Sequence, residues 1–277
     1  MTGQAVEVEY GSGLFAGYEG TAVLRNFART WLTLSNQVRD KVTLTDELVI
    51  ANQSIGIALL AEGFNGVDGI LGIGPTNLTE GTVIPDGSVI PTVTDNLLTQ
   101  GTIPQKVVGI YFAPTTTENN TNGEMTFGAV DSSKTTGPIT FAPITSTSPS
   151  SEFFGIDQSI TYGSAQMTVL SSTAGIVDTG TTLTLLSTDA FNTYTSLTGA
   201  TVDRRTGLLC IPTENYEILQ SLFFNIAGTT FEFTKNAQTF PRNLNAVIGG
   251  TDGFIYLIIG DVGIFVFSYI DALGSIS

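Results

Sequence analysis

Ala174-Gly175-Ile176-Val177-Asp178-Thr179-Gly180-Thr181-Thr182-Leu183-Thr184 is the stretch on which the reading of this chain turns. The β-branched residues Ile176 and Val177 predict a buried strand. Thr179-Gly180-Thr181-Thr182 then breaks it, with Gly180 permitting a tight turn that a Cβ would hinder. The carboxylate of Asp178 is thereby delivered at a strand end, among small hydroxyls and backbone N–H groups able to hydrogen-bond it. Such surroundings suit a group that must hold or share a proton. Asp-Thr-Gly alone is also a common loop tripeptide in which a capped Asp is merely structural, so the rest of the chain has to decide.

Composition removes most alternatives. With no histidine and a single cysteine, Cys210, the chain lacks the parts of Ser-His and Cys-His nucleophile systems and of Cys/His zinc sites. Any catalysis falls to carboxylates and hydroxyls, and no metal or cofactor is expected. Cys210, within Gly207-Leu208-Leu209-Cys210-Ile211-Pro212, reads as a small buried apolar residue. A content of 42% hydrophobic and 13% charged residues, with a mean hydropathy of +0.25, supports a large core. Thr, Ser, Gly and Asn between short apolar runs predict many short strands joined by turns, an all-β fold with short helices.

A net charge of −15 and a pI near 4.1 argue against nucleic acid or an anionic membrane surface as partner. No apolar run reaches the roughly 18 residues of a membrane-spanning helix. Met1-Thr2-Gly3-Gln4-Ala5-Val6 has neither the basic nor the apolar region of a signal peptide. Acceptor sequons at Asn52, Asn77 and Asn119 are compatible with secretion.

Working outward from Asp178, residues 4–17 alternate Val6, Val8 and Tyr10 on one face with Glu7 and Glu9 on the other, then turn at Gly11-Ser12-Gly13, a hairpin signature. Tyr-Gly-Ser-Gly after such a strand resembles the flap of the pepsin-like aspartic proteases, in which the Tyr overhangs the active-site cleft. Gly66-Val67-Asp68-Gly69-Ile70-Leu71-Gly72-Ile73-Gly74-Pro75 is similar to the family's Phe-Asp-Gly-Ile-Leu-Gly-Leu-Gly segment, and its small and branched residues predict a buried strand in which Asp68 is structural. Gly123-Glu124-Met125-Thr126-Phe127-Gly128-Ala129-Val130-Asp131 resembles a further family strand, and the Asp178 stretch itself looks like the family's second catalytic motif.

Helices are predicted over 90–101, ended by Gly101, and over 188–197, capped by Ser187 or Thr188 with Phe191, Tyr194 and Leu197 on one face. Strands are predicted over 107–112, 124–127, 139–143 and 254–259, and a hairpin over 222–233 around Gly228. The Ser/Thr/Pro run after Pro143 places a lobe boundary at 147/148. Residues 1–147 are then a partial first lobe carrying the flap at 4–19, and 148–277 a second lobe carrying Asp-Thr-Gly. Residues 20–38 read neither as a strand with turns nor as a capped helix. They are taken as an insertion, either a surface loop or retained intron sequence.

The resemblance is nearest to a secreted fungal branch of the family. It implies a bilobal double-ψ β-barrel, an extracellular and monomeric acid endopeptidase that takes protein or peptide substrates and pepstatin-type inhibitors, and no cofactor. Asp178 is implied as the second-lobe catalytic aspartate, Gly180, Thr181 and Thr182 as binders of peptide backbone, and Tyr10, Gly11 and Ser12 as the flap. The first-lobe aspartate should precede the flap, yet only nine residues stand before Tyr10 and no second Asp-Thr-Gly or Asp-Ser-Gly occurs. The first lobe is thus expected to be incomplete, the C-terminal end compressed or lost, and the 277 residues inactive by the two-aspartate mechanism. A non-catalytic peptide-binding protein of the same fold is the alternative. A phosphotransferase reading of Asp178-Thr179-Gly180-Thr181 fails for want of the Lys after the Asp, of membrane helices and of α/β alternation.

Overall fold

The structure, a computed structural model, describes residues 4–10, 13–20, 39–62, 68–84, 88–118, 120–263 and 268–270; of these, 4–10, 13–20, 58–62, 83–84 and 268–270 are described as backbone alone. Gly11, Ser12, Asn119 and residues 21–38 of the insertion-like stretch lie outside the described residues. Contacts gather the chain into two units, Met1–Gly109 with Thr126–Val130, and Ile110–Met125 with Asp131–Ser277. The boundary read from composition at 147/148 falls within the sequence of the second unit.

The first unit holds β1 (Gln4–Tyr10), β2 (Gly13–Gly20), β3 (Arg39–Thr43), β4 (Val49–Glu62) and β5 (Val83–Ile84) in an antiparallel sheet of order β3-β4-β2-β1-β5. Tyr10 pairs with Gly13, so a two-residue connection joins β1 to β2, as the alternating pattern predicts. Helix α1 (Val93–Thr99) is shorter than the predicted 90–101. Its start is set by a capping box in which Thr92 and Asp95 satisfy each other's backbone N–H groups, leaving Ile90 and Pro91 outside. Its end is a Schellman turn: Thr102 N–H donates to the Leu97 carbonyl and Gly101 N–H to that of Leu98, each at 2.9 Å, with Gly101 at φ 73°. Val93 and Leu97 pack with Ile50 and Ile103 in a buried cluster.

β6 (Val108–Tyr111) and β7 (Glu124–Phe127) form a two-stranded sheet. The second unit carries β8 (Gly155–Tyr162), β9 (Met167–Val177), β10 (Thr184–Leu186), β11 (Thr201–Val202), β12 (Leu209–Pro212), β13 (Leu222–Ile226), β14 (Thr229–Phe233), β15 (Phe254–Leu257), β16 (Ile259–Asp261) and β17 (Ser268–Ile270). A seven-stranded sheet runs β14-β13-β8-β9-β17-β10-β16, and a three-stranded one β11-β12-β15. The predicted hairpin is β13–β14, turning through Ala227 and Gly228 at φ 48° and 80°, the left-handed pair that a two-residue turn needs.

Helix α2 (Thr188–Thr198) buries Ala190, Tyr194 and Thr198, with Phe191 and Leu197 partly buried against the same core of Ile160, Leu186, Leu209, Leu222, Ile255 and Leu257. Tyr194 meets Tyr162 edge-on, ring centroids 6.2 Å apart, and its hydroxyl donates to Gln238 Oε1 at 2.9 Å. Burial holds that hydroxyl protonated far above its usual range. No helix among the described residues is long and apolar enough to cross a membrane.

Two strand expectations fail and a third is divided. Asp68–Pro75 forms no strand, and Ile70 and Leu71 are 51% and 43% exposed. Small apolar residues fit a buried strand only where neighbours pair with its backbone, and no described strand does so here. Residues 139–143 form no strand, and Phe141 is 83% exposed. The run 254–259 is two strands, because the chain switches sheets at Ile258, whose N–H donates to Gln238 and whose carbonyl accepts from Thr184.

Candidate active site

Asp178 follows directly on β9, an interior strand of the seven-stranded sheet. Ala174, Gly175 and Ile176 are buried, as the apolar run up to the Asp predicts. On one side Gly175 and Ile176 pair antiparallel with Ile156 and Gly155 of β8, and Val177 N–H donates to the Phe154 carbonyl at 3.0 Å. On the other, Gly175, Ile176 and Val177 pair in parallel with Ser268, Tyr269 and Ile270 of β17. With both edges occupied, the strand end holds the Asp178 backbone firmly.

The chain then turns at Thr179-Gly180. Gly180 N–H donates to Asp178 Oδ1 at 3.0 Å and the Thr181 hydroxyl to Oδ2 at 2.5 Å, so each carboxylate oxygen has a donor of its own. The first of these is an Asx turn. An ideal Cβ on Gly180 would stand 3.3 Å from Asp178 Oδ1. Glycine is therefore favoured by the carboxylate's close approach, and Gly180 is absent from the positive-φ residues. Thr182 is exposed, and Leu183 packs against the core.

The turn is closed by β10, whose Thr184, Leu185 and Leu186 run parallel to Ile259, Gly260 and Asp261 of β16 while Leu185 pairs antiparallel with Tyr269 of β17. The loop of residues 178–183 is thus slung between two interlocked parallel pairs, β9–β17 and β10–β16. A partly buried carboxylate fixed on both oxygens, with room on the loop for backbone contacts, can hold a water or accept and return a proton.

Of the other predicted site residues, Tyr10 ends β1 with its side chain undescribed, and Gly11 and Ser12 lie outside the described residues; the β1–β2 hairpin belongs to the first unit and Asp178 to the second. Among the described residues no group of His, Cys, Asp and Glu could hold a metal ion. Cys210 is buried, and burial raises its thiol above the ordinary range, as befits a packing residue. The participation of Ser268–Ile270 beside the Asp strand was missed from sequence. Its alternation of serine, tyrosine and isoleucine was the available signal, but a three-residue strand carries too little pattern to be told from a loop.

Comparison with known proteins gives concordant results. Residues 31–269 match the family model described as eukaryotic aspartyl protease. Polyporopepsin of Irpex lacteus is 56% identical over 263 residues, covering 95% of this chain and 72% of the relative. Rhizopuspepsin of Rhizopus chinensis is 33% identical over 231 residues, covering 80% of this chain and 54% of the relative. The crystal structure of the aspartic proteinase from Irpex lacteus superposes with a TM-score of 0.85 at 52% identity, covering 96% of this chain and 76% of that one.

Proposed function

The chain belongs to the eukaryotic aspartyl protease family and has the pepsin-like fold, and from that premise we propose that Asp178 is one of two carboxylates with which the enzyme hydrolyses peptide bonds. The observation that carries this reading is the clamp on Asp178, Gly180 N–H on one oxygen and the Thr181 hydroxyl on the other. Two carboxylates sharing a proton repel each other's charge, which separates their protonation states. The ionised one takes a proton from the attacking water, and the protonated one donates to the carbonyl oxygen of the scissile bond. Gly180, Thr181 and Thr182 bind substrate backbone, and Tyr10, Gly11 and Ser12 serve as the flap. Substrates are proteins or peptides, pepstatin-type inhibitors compete with them, no cofactor is used, and the enzyme acts as an extracellular monomer.

A lone carboxylate cannot perform both proton transfers. No second Asp-Thr-Gly or Asp-Ser-Gly stands in these 277 residues, so on their own they bind peptide without cleaving it. The same observation favours the second reading, a non-catalytic peptide-binding protein of this fold. The deciding experiment is hydrolysis of a denatured protein between about pH 3 and 5, where shared-proton carboxylates work, with pepstatin and Asp178→Asn as controls. We expect pepstatin binding without turnover. Pepstatin-sensitive turnover lost in Asp178→Asn would show that a second carboxylate is recruited, and would overturn the inactivity of the chain while upholding the role of Asp178. Folded protein that neither cleaves peptide nor binds pepstatin would overturn the site assignment.

A further inference from the structure

We propose that Asn77 is an N-glycosylation site, a proposal that rests on the extracellular reading above. Asn77-Leu78-Thr79 is an acceptor sequon and lies in the 3-10 turn Thr76–Thr79. The two threonines of that turn are tied inward, while Leu78 is 37% exposed. The Thr76 hydroxyl donates to Asp95, and the Leu78 side chain lies over Gly74, where an added Cβ would meet it at 3.0 Å. The Thr79 hydroxyl donates to the Thr76 carbonyl and accepts from Ile90 N–H, both at 2.7 Å. Asn77 is exposed, and its side-chain amide makes no hydrogen bond among the described residues. The sugar comes from a lipid-linked diphosphate donor: its C1–O bond to phosphate breaks as the C1–Nδ2 bond forms, the lipid diphosphate leaves and Nδ2 gives up one proton. The added group displaces no contact of Asn77 and projects from a turn whose shape is held from behind.

The sequon at Asn52 has a different setting. It lies inside β4, between the pairings of Ile50 with Val42 and of Gln53 with Asp40, and its Ser54 pairs with Arg39. Asn52 is itself exposed, so it differs from Asn77 in lying within a strand and not in burial. The sequon at Asn119 lies outside the described residues.

To test this, the full chain is directed into the secretory pathway of a eukaryotic host by an added leader peptide and collected from both medium and membrane fraction. Glycans are then removed enzymatically in heavy-oxygen water and the peptides mapped. The expected result is heavy-oxygen aspartate at position 77 in most molecules, release of that glycan without denaturant, and loss of one glycan's mass in Asn77→Gln. An unmodified Asn77 peptide in lumenal material overturns the proposal, whatever the state of Asn52 and Asn119. Because transfer precedes folding, the membrane fraction reports even if the chain folds poorly. Finding the natural protein inside cells would instead refute the extracellular reading and leave the acceptor competence of Asn77 as measured.

Discussion

An added methyl at Gly180 would press on Asp178 Oδ1 from 3.3 Å, so Gly180→Ala is expected to move the carboxylate by a few tenths of an ångström. Its backbone needs no left-handed conformation, so the fold should survive; crystal structures of the two forms give the displacement. At Tyr194 the cost is in stability. Its hydroxyl is the donor to Gln238 Oε1, and Gln238 is wholly buried with its Nε2 donating to the carbonyls of Gln220 and Phe233. Tyr194→Phe leaves that Oε1 unpaired in the core and should cost about 1–3 kcal/mol by denaturant titration.

Among the elements, the N-terminus of α1 depends on one carboxylate. Asp95 accepts from Thr92 N–H at 2.9 Å and from the Thr76 and Thr92 hydroxyls, and it pairs with the Lys106 ammonium. Burial pushes its pKa up, but these partners outweigh it and bring the value down to about 2. A depressed carboxylate pKa contributes stability above the unfolded value, and the contribution is lost as pH falls through the folded one. Asp95 thus stabilises fully above about pH 4 and loses its effect between about pH 4 and 2. Asp95→Asn should lower stability by about 1–3 kcal/mol at neutral pH and converge with the parent near pH 2, as thermal unfolding across that range would show. At the start of β8 the constraint is space. A Cβ on Gly155 would stand 2.1 Å from the Ser150 carbonyl oxygen, so Gly155→Ala must shift the backbone beside the Phe154–Val177 pairing. We expect it to be among the most damaging single substitutions, read as a fall in the denaturation midpoint of several kcal/mol equivalent, or about 3 or more.

For the whole molecule, a net charge of −15 and a pI near 4.1 predict retention on an anion exchanger at pH 7 and a solubility minimum near the pI; turbidity against pH measures the second. Much of the fold and of the site could be read before any coordinates, and the reasons are local. Ile176-Val177-Asp178 before a glycine turn specifies a strand end, since β-branched residues and glycine have opposite backbone preferences. Tyr10-Gly11-Ser12-Gly13 specifies a two-residue hairpin, and Thr92 with Asp95 and Gly101 the two ends of α1. Where pairing is non-local the sequence underdetermined the result. Asp68–Pro75 and 139–143 carry strand composition but have no described ladder partner, and 254–259 divides between two sheets at Ile258. By itself the sequence determined the family, the all-β class and the position of Asp178 at a strand end, because each lies in short-range chemistry. Only the tertiary structure decided which oxygen of Asp178 each donor holds and that Ser268–Ile270 lies beside its strand, because contacts between residues far apart in sequence depend on how the chain packs.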